Sequence, residues 1–163
     1  MKKVIFALIF IAGGIGLIIW GYGIVKKAKA STGWPTVEGT VVSAKVERKK
    51  STSGTGRKRG SSITYKAEVV YNYSVEDTPY SSNRISFGEY SSGNPNHARQ
   101  IVNRYPQGGE VTVYFKPGQP KISVLEPGES WSTYMPLGMG VVFFLIGLIV
   151  LFSKNIRIHS TYR

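Results

Sequence analysis

The chain alternates between two kinds of pattern. Val4 to Val25 carries no charge, and its 22 residues reach about 33 Å as a helix, a full hydrocarbon core. Tyr134 to Phe152 is a second uncharged run, and its 19 residues reach about 29 Å. Both are predicted as transmembrane helices. A cleaved signal peptide is the competing reading of the first, because Ala28-Lys29-Ala30 has the small-x-small form of a cleavage site. The long apolar run and the lysines around that site favour an anchor. Trp20 and Tyr22 end the first run and Trp131 and Tyr134 begin the second, so both aromatic anchors fall on the side facing the intervening domain. Small residues at near-whole-turn spacing, Ala12, Gly16 and Gly23 on the first run and Gly140 and Gly147 on the second, are candidate helix-helix contacts, within one chain or in a homo-oligomer.

Between the runs the period changes to two. Val37, Gly39 and Val41 alternate against Val42, Ala44 and Val46, and Ile63 to Val75 puts Ile63, Tyr65, Ala67, Val69, Tyr71, Tyr73 and Val75 on one face. Glu76-Asp77-Thr78-Pro79 reads as a turn into a third strand, Tyr80 to Phe87. Asn94-Pro95 reads as an N-cap and first helical residue, with Ala98, Ile101, Val102 and Tyr105 on one helix face. Glu110 to Phe115 and Lys121 to Leu125 are the last two strands, joined through Pro117-Gly118.

The predicted fold is therefore an α+β membrane protein: two transmembrane helices flank a small, mainly antiparallel β domain of about five strands and one short helix. Its sheet curls over the helix as a sandwich or partly closed barrel. The expected segments are residues 4–25, 34–128, 134–152 and a basic tail at 153–163.

Charge adds a direction. The net charge is +12 and all nine acidic residues lie between Glu38 and Glu129, leaving purely basic ends. An anionic membrane lipid surface is the nearest partner for such a chain. Arg48, Lys49 and Lys50 with Arg57, Lys58 and Arg59 bracket a Ser/Gly-rich stretch, a candidate contact with anionic headgroups or simply a solvated tip. Nucleic acid is not expected, because no aromatic platforms are interleaved with these charges. Tyr65, Tyr71 and Tyr73 form a candidate aromatic binding face; sheet packing is the alternative.

Catalytic chemistry has little to work with. The chain has no cysteine, so disulfides and thiolate metal sites are excluded. Asp77 is the only aspartate, and His97 and His159 are the only histidines. No metal, cofactor or enzymatic activity is expected, with carboxylate chemistry through Glu68 or Glu89 as the one remaining route.

Several features together resemble the domain of unknown function 3592 family of bacterial membrane proteins. They are Trp34-Pro35 with Gly39 and Val41; Tyr71-x-Tyr73-x-Val75; Tyr80; Tyr105-Pro106-x-Gly108; Val111-x-Val113-Tyr114; Pro117 and Pro120; and Leu125-Glu126-Pro127-Gly128. The resemblance implies a β-rich domain with flanking membrane helices, and no activity. Lys116 and the long basic loop from Glu47 to Gly60 depart from the pattern.

Orientation is evenly balanced by charge: Lys2, Lys3, Lys154, Arg157 and Arg163 face Lys26, Lys27, Lys29, Lys116 and Lys121. The length of the domain and the Met-Lys-Lys start favour both termini inside and the domain outside the inner membrane. The expected function is a non-enzymatic bacterial inner-membrane protein whose extracytoplasmic β domain binds a partner protein or the envelope surface. Two alternatives are an immunity protein against an envelope-acting toxin and an accessory subunit or regulator of a larger membrane complex.

Overall fold

The computed structural model describes residues 2–53 and 60–153. The chain runs α1 (Lys2–Ser31), β1 (Thr36–Ser53), β2 (Gly60–Val75), β3 (Thr78–Ser82), α2 (Pro95–Arg104), β4 (Glu110–Lys116), β5 (Gln119–Val124) and α3 (Met135–Phe152). The described residues divide into two compact units, one holding those up to Ile24 and from Tyr134, the other those within Val25–Thr133. Two helices long and apolar enough to cross a membrane thus flank a five-stranded sheet with one short helix, an α+β arrangement.

In the first unit the two apolar helices pair antiparallel. Ile11 and Ala7 meet Gly147, and Gly14 meets Gly140 and Phe144. Gly21 meets Leu137. Phe10 and Phe143 pack with ring centroids 5.6 Å apart, and the Lys3 ammonium donates to the Ser153 carbonyl. A Cβ at Gly14 would come within 2.6 Å of the Phe144 backbone nitrogen, so glycine is what lets the backbones approach. Of the small residues predicted for this seam, Gly140 and Gly147 lie in it. Ala12, Gly16 and Gly23 do not: Ala12 is exposed, and nothing lies within 4 Å of a Cβ at Gly16 or Gly23. The seam on α1 is instead Ala7, Gly14 and Gly21. Their seven-residue spacing returns to one face every two turns and matches the spacing of Gly140 and Gly147.

The second unit is an all-antiparallel sheet in the order β3-β2-β1-β4-β5. Val42 is an extra residue between the Val41↔Tyr71 and Ser43↔Val70 pairs. This bulge returns Ala44 and Val46 to the face that carries Val37 and Val41, so both halves of the strand pack on one core. β1 runs past Val46 to Ser53, because Arg48, Lys49 and Lys50 pair with Tyr65, Thr64 and Ile63.

β3 is shorter than the Tyr80 to Phe87 alternation predicts. The chain leaves the sheet after Ser82, and the Ile85 carbonyl accepts the N–H groups of Leu125 at 2.9 Å and Glu126 at 2.7 Å. That junction draws the end of β5 to the β3 side and partly closes the sheet. Two tyrosines of β2 reach β5 across the interior. The Tyr71 hydroxyl donates to the Arg84 carbonyl at 2.8 Å and lies 3.0 Å from Ser123 Oγ, and the Tyr73 hydroxyl donates to the Pro120 carbonyl at 2.5 Å. α2 begins as expected, with Asn94 Oδ1 accepting the Asn96 N–H at 2.9 Å, and buries Ala98 against the sheet.

Candidate functional site

α2 presents His97, Ile101 and Arg104 at i, i+4 and i+7, one helix face. That face, the 85–90 segment and the 126–132 segment enclose a cleft of about 230 Å³. Two devices hold its walls. Glu89 Oε1 accepts the N–H groups of Ile85 at 2.5 Å and Ser86 at 3.3 Å, while its other oxygen pairs with Lys66 of β2 at 2.9 Å. In the same segment Gly88, at φ +94°, lies against Thr133. Thr133 Oγ1 donates to the Phe87 carbonyl at 2.9 Å and accepts the Ser130 N–H at 3.0 Å. No L side chain would fit between Gly88 and Thr133 without displacing one of them.

Most charges in the cleft are already matched. Arg104 pairs with Glu126 at 2.9 Å, and the Tyr105 hydroxyl donates to the same carboxylate oxygen at 3.1 Å. Burial, reinforced by that carboxylate, pushes the Tyr105 phenol up to about 12. His97 stacks on Tyr90 with ring centroids 4.8 Å apart and has no hydrogen-bond partner among the described residues. Among the described residues Glu129 is held only by Lys29 at 3.8 Å, both side chains exposed. Trp131, at the rim, is 70% exposed.

Apart from Glu89, which lines the cleft, the predicted sites fall elsewhere. Arg48, Lys49 and Lys50 are exposed on the outer part of the β1–β2 ribbon, with Lys49 reaching Glu47 at 3.7 Å. Arg57, Lys58 and Arg59 lie outside the described residues. Tyr71 and Tyr73 are buried, at 0% and 4% exposure, and burial raises both phenols above their ordinary value. As an open binding face the tyrosine row is therefore corrected to core packing, because the curl of the sheet covers it. Tyr65 is half-buried, its backbone bridged to Ser92. Glu68 pairs with its cross-strand neighbour Lys45 at 3.1 Å, and Glu89 holds backbone N–H groups. No cluster of three or more metal-ligating side chains occurs among the described residues.

Sequence reasoning missed the cleft, whose walls come from four separated stretches. The one signal available was the His97, Ile101, Arg104 spacing on a helix whose apolar face was already accounted for. A comparison with curated proteins returns no match. The sequence profile described as Domain of unknown function (DUF3592) matches residues 37–130, the whole sheet apart from the first residue of β1, together with the cleft walls as far as Ser130, and the chain belongs to that family.

Proposed function

We propose that this protein is a membrane-anchored, non-enzymatic binding module of the bacterial inner membrane. Its β domain faces the extracytoplasmic side, with both termini in the cytoplasm, and engages a partner protein or the envelope surface. The observation that carries this reading is the cleft. Its inner carboxylates Glu89 and Glu126 are occupied by cations, backbone N–H groups and a phenol, and the third, Glu129, lies exposed at the rim beside Lys29; walls held by matched charges with one polar group at the mouth suit a recognition surface.

Two measurements test it. The chain lacks cysteine, so Ser81→Cys on exposed β3 provides a single thiol. Labelling of intact cells by an impermeant reagent is expected, and labelling only after the inner membrane is breached would reverse the orientation. For binding, a photo-crosslinking phenylalanine replaces Tyr90 in the cleft or, as a control, exposed Thr112 in β4. A light-dependent adduct of defined mass from position 90 alone is expected; equal outcomes at both positions would remove the cleft as the binding surface.

A further inference from the structure

The cleft lining adjoins an apolar segment in sequence. Its lining from Glu126 onward runs directly into the apolar segment Trp131–Phe152, and the other apolar segment ends at Ser31. The Ser31 hydroxyl accepts the Gly128 N–H at 2.9 Å, and Lys29 reaches Glu129. The short loop that lines the cleft is therefore bonded to the last turn of α1 and stands immediately before the start of the second span. An exposed tryptophan at such a junction sits at headgroup level, and Trp131 has that place.

The chemistry of the cleft is mixed in sign. Lys66 with Glu89 and Arg104 with Glu126 neutralise one another. Among the polar groups that retain capacity at the cleft are the His97 ring, stacked on Tyr90, and the exposed Glu129 carboxylate. A wholly anionic ligand would meet Glu129 unfavourably. A ligand with a phosphate and a primary ammonium a few bonds apart answers both groups, since a primary ammonium offers three N–H donors to a carboxylate and is attracted to an indole face. The volume of about 230 Å³ is below the roughly 300–1,000 Å³ of sites that enclose a drug-sized ligand. It suits a headgroup.

We propose that the cleft binds the phosphoethanolamine headgroup of a membrane lipid, with its ammonium on Glu129 beside Trp131 and its phosphate on His97 and the outer edge of Arg104. The proposal rests on the reading of the cleft as a binding surface.

Native mass spectrometry of the detergent-solubilised full chain tests this, with phosphatidylethanolamine, phosphatidylcholine and phosphatidylglycerol of identical acyl chains supplied in equal amounts. Preferential retention of phosphatidylethanolamine is expected. Glu129→Gln and Trp131→Ala, both at exposed positions, should each reduce that preference about fivefold, whereas Lys50→Gln, outside the cleft lining, leaves it intact. Equal retention of the three lipids by the unaltered chain, or a preference that survives both cleft variants, overturns the proposal. Binding of soluble phosphoethanolamine without selective lipid retention would assign the cleft to the free compound and also overturn it. If the position-90 crosslink persists while lipid selectivity is absent, only the headgroup assignment falls; loss of both removes the binding-module reading as well.

Discussion

Gly88 lies so close to Thr133 that a Cβ on the glycine would stand 2.7 Å from the threonine Cα. This approach joins the 85–90 segment to the chain entering the second apolar helix, and with the Glu89 contacts it holds the cleft walls. Gly88→Ala combines a φ of +94° with a backbone collision and should destabilise the domain by about 2–3 kcal/mol. Gly93→Ala, with nothing within 4 Å, should be close to neutral. Denaturant midpoints of the two variants in detergent check the contrast; equal shifts would show that the approach is not strained.

Tyr105 predicts an alkaline limit to stability. The unfolded phenol ionises near 10, whereas the folded one holds its proton to about 12. Between those values the unfolded chain has released a proton that the folded chain retains, so stability is fully present below pH 10 and declines as pH rises through the window. Tyr105→Phe should flatten the decline between pH 10 and 11, read from urea midpoints. An unchanged slope would place the alkaline loss at Tyr71 or Tyr73.

The β2–β3 turn carries Glu76 at φ 50° and Asp77 at φ 61°, the paired left-handed conformation of a type I′ hairpin turn, where Asn-Gly is the preferred pair. Replacing Glu76-Asp77 by Asn-Gly should raise stability by about 1 kcal/mol, because neither new residue resists positive φ as strongly. A lower unfolding midpoint in the double variant would show that the acidic side chains compensate for the backbone.

The helix pair gives a test of its own. With no native cysteine, Phe10→Cys and Phe143→Cys place two thiols at a ring contact across the helix pair, and a short bifunctional thiol reagent in membranes should join them. Adding Gly14→Leu should lower the yield sharply, since overpacking at a close crossing costs about 1–3 kcal/mol. Gly16→Leu should leave it unchanged. Equal loss from both would place Gly16 in the seam after all.

Particular residues show how far the sequence reached. Alternation from Ile63 to Val75 identified β2 and its inward face, and Asn94-Pro95 located the start of α2 at the residue that caps it. Val37, Gly39, Val41 and Val42, Ala44, Val46 read as two opposed faces of one strand. The structure turns both towards the core by one bulge at Val42, a single unpaired residue that no period-two pattern reveals. The tyrosine row was legible as a face, while its burial depended on β5 arriving over it, a contact separated by 47 residues between Tyr73 and Pro120.

What the sequence determined by itself are the properties carried by neighbouring residues. These are two apolar runs of membrane-spanning length, the alternating strands, the capped helix, the basic ends and the absence of thiol chemistry. Each follows from local periodicity or composition. The tertiary structure alone decided which glycines form the helix seam, which aromatic residues are sealed, and where the cleft lies. Those outcomes depend on which of several equivalent faces meets a distant partner. That choice is made by packing and hydrogen bonding between segments far apart in the chain, such as Ile85 with Leu125 and Gly88 with Thr133.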